Sequence, residues 1–140
     1  MRQLRIAVTR LILVVVTPQT VRDYTPYVLH ARRMQALRRA DTRIAARLAR
    51  AWVAARDIAD FLRRTYQPAR IVAFGSIVHP EVFGLHSDID LAVEGIPWPD
   101  YLRAWNDVEE RVTEFKVDLI DVAVVGPELR ARIEREGQAL

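Results

Sequence analysis

Between Leu37 and Leu62 the apolar residues Leu37, Ile44, Leu48, Ala51, Ala55, Ile58 and Leu62 recur at steps of three, four and seven. That spacing lays one apolar stripe along an α-helix. Arg38, Arg39, Arg43, Arg47, Arg50 and Arg64 fill the opposite side and alanine is frequent, so propensity agrees with pattern. The helix is expected to open after Pro18 and Pro26 and to stop near Tyr66, because Pro68 cannot continue it. A partner-binding coiled coil would give a related pattern, but heptad-like steps are few and Asp41 sits on the seam.

From Arg70 the period changes. Ile71 to Phe74 is a short apolar run bounded by Pro68 and Gly75, which predicts a buried strand. Ile89, Leu91 and Val93 alternate with Asp88, Asp90 and Ala92, predicting a second strand closed by Glu94 and Gly95. Tyr101, Leu102, Trp105, Val108 and Val112 mark an amphipathic helix, and Phe115 to Ile120 a third strand. A last helix follows Pro127, carries Leu129 and Ile133, and closes at Gly137. The order helix, strand, turn, strand, helix, strand, helix predicts an α/β (α+β) domain on a small sheet flanked by helices.

We assign residues 36–140 to this domain and residues 1–35 to an N-terminal arm. Leu11 to Val16 is apolar and follows basic residues, but Arg10 interrupts it and the run falls short of the about 18 residues that span a bilayer. No small-residue cleavage site follows. A short strand or an unstructured arm is expected there, and the weak pattern also accommodates a translation start near Met34.

At 140 residues, 51% of them hydrophobic and 28% charged, the chain has the composition of one folded domain. The absence of cysteine excludes disulfides, thiolate catalysis and cysteine zinc sites. His30, His79 and His86 lack the spacing of a zinc pair on one helix. Charge is unevenly spread. Met1 to Arg70 holds 15 arginines against 4 aspartates, and Ile71 to Leu140 holds 6 basic against 14 acidic residues. The arginines come without interleaved aromatics for base stacking, so nucleic acid is not an expected partner.

The chemistry is expected in the acidic half. Asp88 and Asp90 are two apart on a predicted strand, so their carboxylates project from one face. Aspartate is depleted in strands, and two anions about 4 Å apart repel by roughly 4 kcal/mol at an effective dielectric of 20. A hard divalent cation such as Mg²⁺, shared with substrate phosphates, would offset that repulsion. A surface strand whose aspartates face water gives the same pattern. Gly75-Ser76, directly after an apolar strand, shifts the balance, because such a turn lets backbone amides and a hydroxyl approach a phosphate. Asp118 lies opposite Val117 and Leu119 on the third strand, where it would complete a trio of carboxylates if that face is the one bearing Asp88 and Asp90. Asp121 is expected as a turn or cap residue.

Phe74-Gly75-Ser76, Ser87-Asp88-Ile89-Asp90-Leu91 and Val117-Asp118-Leu119-Ile120-Asp121 together resemble the minimal nucleotidyltransferases of the DNA polymerase β superfamily, as does the ending around Arg135-Glu136-Gly137. The resemblance covers about Ala36 to Leu140. It implies a mixed sheet flanked by helices and transfer of AMP from ATP to a hydroxyl. Gly75 and Ser76 would grip the terminal phosphates, Asp88 and Asp90 would ligate two Mg²⁺ ions, and Asp118 would ligate the one that activates the hydroxyl.

The resemblance extends to MntA-type antitoxins of HEPN/MNT pairs. It implies a cytoplasmic protein, homo- or hetero-oligomeric, whose partner is a HEPN-domain ribonuclease toxin encoded nearby and whose acceptor is a toxin tyrosine. Two alternatives remain: a small-molecule nucleotidyltransferase of the aminoglycoside-modifying sort, and a non-catalytic antitoxin acting by binding alone. Two departures stand out. Eleven residues separate Ser76 from Asp88 where ten are usual, and Ile77 stands where many members carry a basic residue.

Overall fold

The computed structural model describes residues 18–140, with side chains described from Val28 onward. Residues 1–17, over which a strand or unstructured arm was expected, lie outside the described residues. The chain divides between Asp41 and Thr42 into two units. In the first unit, the side chains from Val28 to Asp41 are exposed apart from Ala40, which is half-buried. Leu37 therefore departs from the expected apolar stripe, being 50% exposed.

Helix α1 spans Pro18–Tyr66. It starts earlier than the prolines predict, with Pro18 at its first position and Pro26 within it. Gln67, at φ 51°, ends it with a left-handed turn whose N–H reaches the Leu62 carbonyl. Within the second unit, Ala51, Ala55, Ile58, Ala59 and Leu62 are at most 1% exposed, and Ile44 and Leu48 pack half-buried beside them. Ile58 and Leu62 each contribute roughly 1.5–3 kcal/mol by burial.

Strand β1 (Arg70–Phe74) leads into a single 3₁₀ turn at Gly75–Val78. Strand β2 (Ile89–Glu94), helix α2 (Asp100–Arg111), strand β3 (Val117–Asp121), helix α3 (Pro127–Glu136) and a two-residue strand β4 (Gln138–Ala139) follow. The sheet runs β3-β2-β1-β4, with β2 and β3 parallel and the other two pairs antiparallel. It is the mixed sheet that the sequence predicts, with one strand more. The alternation of side chains gives the sheet two unlike faces. Ile71, Ala73, Ile89, Leu91, Val93, Val117 and Leu119 join the core that α1 and α2 cover. Val72, Phe74 and Ala92 pack instead with Val122 and with Ile133 of α3.

The inner side of α2 differs from expectation. Ala104 and Val108 are buried, whereas Leu102 and Trp105 are 46% and 40% exposed, so the small residue faces the sheet. Strand β4 forms because Gly137 returns the chain onto β1. A Cβ at Gly137 would lie 2.4 Å from both the Ile133 carbonyl oxygen and Val72 Cγ1, a space that only glycine leaves open. Among the described residues no helix is long and apolar enough to cross a membrane.

Candidate active site

The predicted site residues gather at one end of the sheet, where β1 leaves it and β2 and β3 enter. Asp90 pairs in register with Phe74 on β1 and with Asp118 on β3, so Asp90 and Asp118 are cross-strand neighbours on one face. Asp88 immediately precedes β2, two residues from Asp90 and on its side of the strand. All three are half-buried. Asp90 bears the cost of the arrangement. Its partial burial pushes its carboxyl above the ordinary aspartate range, the charges of Asp118 and Asp88 push it further, and Lys116 and Arg132 oppose them.

Lys116, the chain's single lysine, was not foreseen in this role. Its Nζ lies 2.9 Å from Asp118 Oδ1 and 3.7 Å from Asp88 Oδ2, bridging the two carboxylates. Those neighbours hold its ammonium above the usual lysine range, first through the hydrogen bond to Asp118. The available signal was position, two residues ahead of Asp118 on the same side of an extended segment. Among the described residues, no three acidic or histidine side chains are drawn together as a ready metal cluster. Asp118 is paired to Lys116 instead.

Gly75 sits against Asp90. Its φ is +70°, and a Cβ there would fall 2.2 Å from Asp90 Oδ2. The glycine therefore does two things: it takes a left-handed conformation that other residues disfavour, and it leaves space directly over the carboxylate. Ser76 follows in the 3₁₀ turn, half-buried, its carbonyl accepting from the His79 N–H. Ile77 is fully buried in the main core, so the turn is anchored by an apolar side chain at the position where a basic one was missed.

The longer loop that follows is also tied down. Phe83 is buried, His79 lies 3.3 Å from Glu136 of α3, and the Ser87 hydroxyl accepts from the Gly84 N–H at 2.9 Å. The extra residue is thus absorbed between two anchors. Asp121 accepts from the Ala123 N–H at 2.9 Å, the turn role expected of it. A cavity of about 500 Å³ lies elsewhere, between α1 and the α2–β3 connection, lined by Ala54, Ile58, Arg64, Arg111 and Phe115 among others. It includes none of the predicted site residues.

A small mixed sheet with a glycine-serine turn over carboxylates on adjacent strands is the architecture of a polymerase β-like nucleotidyltransferase. Residues 56–140 match the family model described as Polymerase beta, Nucleotidyltransferase. The chain belongs to that family. Among solved structures it is similar to a minimal nucleotidyltransferase at 26% identity and TM-score 0.54, covering 66% of this chain and 95% of that one. The toxin–antitoxin MntA-HepT is similar at 20% identity and TM-score 0.47, covering 63% and 69%. A toxin–antitoxin with AMP-PNP gives 22% and 0.47, covering 59% and 69%. No curated protein matches the chain.

Proposed function

We propose that this chain is a Mg²⁺-dependent nucleotidyltransferase that moves AMP from ATP to a protein hydroxyl, acting as the antitoxin of a HEPN-type ribonuclease toxin. The observation that carries the reaction class is the register of Asp90 with Asp118 beside a glycine that keeps the space over Asp90 open. Three half-buried carboxylates at one sheet end offer hard-oxygen donors, and the Asp90 carboxyl is raised first by its partial burial and then by the charges of Asp118 and Asp88. That chemistry fits a divalent cation. Asp88, Asp90 and Asp118 would hold it, and when bound it supplies charge neutralisation for phosphates and polarises an oxygen nucleophile.

The residues of the chain do the remaining work. The Gly75-Ser76 turn offers backbone N–H groups and a hydroxyl to the phosphates, as a concave anion site requires. In the transfer, the acceptor oxygen forms a bond to the α-phosphorus while the α–β bridging bond breaks, and pyrophosphate leaves with that electron pair. The acceptor's proton passes to solvent or to a carboxylate at the site. Asp118 stands on β3 on the side of Asp90 away from β1, where it would orient the acceptor. The protein acceptor rests on the sequence resemblance to antitoxins of HEPN/MNT pairs.

The test is incubation of the full chain with α-labelled ATP, Mg²⁺ and the protein encoded by the neighbouring gene. Label on that protein, lost with Asp88→Asn, supports the enzyme. Neutralisation of a toxic partner that survives Asp88→Asn, with no label transferred, would establish action by binding alone. Label on small hydroxylated acceptors only would establish the aminoglycoside-type reading.

A further inference from the structure

Arg47 belongs by sequence to the solvated side of α1, yet it does not point to water. Its Nη2 donates to the Ser87 carbonyl at 3.1 Å across 40 residues of sequence, and its Cζ stands 4.4 Å from the centroid of the Phe115 ring. Its Nε is buried with no hydrogen-bond partner, so the guanidinium is held there although one donor goes unmet. Ser87 immediately precedes Asp88, and Phe115 precedes Lys116 and then Asp118 by three. The next link between the same two segments is the Ile89 N–H to the Lys116 carbonyl, 3.0 Å, at the start of the β2–β3 pairing.

From this placement we infer that Arg47 is a positioning residue of the nucleotidyltransferase site: it clasps the entries of β2 and β3 and thereby sets the placement of Asp88 relative to Asp118. The inference rests on the proposed function for the cation those carboxylates hold, but the clasp itself does not. A planar guanidinium can donate in its plane and lie over an aromatic ring at once. A lysine ammonium keeps the charge and loses that combination, and a glutamine loses both.

The experiment compares wild type, Arg47→Gln and Arg47→Lys in the full chain. Mn²⁺ affinity is read by electron paramagnetic resonance with a non-hydrolysable ATP analogue, amide exchange is followed at Ile89 and Leu91, and melting temperature is recorded. The expected result is Mn²⁺ binding weakened about tenfold or more in both variants. Exchange should quicken at Ile89 more than at Leu91, which lies deeper in the strand. Wild-type Mn²⁺ affinity in Arg47→Lys would overturn the inference, because charge alone would then suffice. Equal quickening at both amides with unchanged Mn²⁺ affinity would reduce Arg47 to general stability and overturn it too. Failure of the wild type to bind Mn²⁺ would sink the nucleotidyltransferase reading, and a change confined to Ile89 would still uphold the clasp.

Discussion

The two faces of the sheet are built from the same three strands and answer to different demands. On the face under α1 and α2, the inward residues Ile71 and Ala73 of β1, Ile89, Leu91 and Val93 of β2, and Val117 and Leu119 of β3 are apolar and at most 4% exposed, with the half-buried Asp121 closing β3 at the far end. On the face under α3, Val72, Phe74 and Ala92 are buried, but Asp90 and Asp118 occupy the next positions toward the sheet end. The first face meets only packing requirements. The second gives up packing at one end to hold charges that repel one another. Stability and chemistry are thus separated by the pleat, one residue apart along β2, and substitutions at Asp90 and Leu91 should reveal that division.

The largest effect should come from Asp90→Asn. Loss of a cation-holding carboxylate removes several kcal/mol of charge stabilisation from the transition state, about a thousandfold in label transfer. The fold should respond in the opposite sense. Asp90 has its folded carboxyl pKa raised, so the ionised form opposes folding, and stability is lost as pH rises through the acid range. Asn removes that penalty. The metal-free variant should melt at or above the wild-type temperature at pH 7 and less steeply lose stability as pH rises from 4 to 7. A melting temperature several degrees below wild type would show that Asp90 is structural after all.

Leu91→Ala makes the converse break. Leu91 is fully buried, and truncation there should cost about 2–5 kcal/mol, enough to leave a domain of this size partly unfolded on warming. Denaturant titration would show a lower midpoint. Label transfer by the molecules that remain folded should fall far less than in Asp90→Asn, which a comparable loss would contradict.

Gly75→Ala tests the space between the two demands. The new methyl would meet Asp90 Oδ2 and force a positive φ on alanine, costing on the order of 1–2 kcal/mol in strain. Moving the carboxylate aside should weaken nucleotide binding about tenfold, measured as KM for ATP, with a modest fall in melting temperature. An unchanged KM would remove Gly75 from the phosphate site.

The sequence made the acidic face readable because its signals are local: an i, i+2 pair of aspartates, and a glycine where an apolar strand ends. It made the long helix readable through a stripe whose second half does bury. What it hid was set by distant partners. Arg47 looked solvated because helical period assigns it a side, and only the fold brings Ser87 and Phe115 to it. Lys116 lay within the predicted third strand, two residues ahead of Asp118 on its side, but its pairing with both Asp118 and Asp88 is set by the neighbouring strand. Strand β4 is two residues long and exists through pairing with β1, which is beyond the reach of periodicity. Leu102 and Trp105 were assigned inward by hydrophobicity, whereas the close approach of α2 to the sheet selects Ala104.

The smallest effect concerns the packed face at its margin, where α1 and α2 meet through a polar contact. Tyr66 donates to Asp107 Oδ2 at 2.5 Å, and its pKa is pushed up to about 12, chiefly by burial, then by that hydrogen bond and the carboxylate's charge. With the folded pKa above the unfolded value near 10, the contribution is fully present below about pH 10 and is lost as pH rises toward 12. Tyr66→Phe should therefore lower the melting temperature by only a few degrees at pH 8, about what one hydrogen bond at a half-buried site supplies. Between pH 10 and pH 12 the wild type should lose that advantage and the two curves converge. Curves that stay parallel through this range would mean the phenol stabilises by packing alone, and the hydrogen bond joining the two helices would carry no weight in holding the apolar face shut.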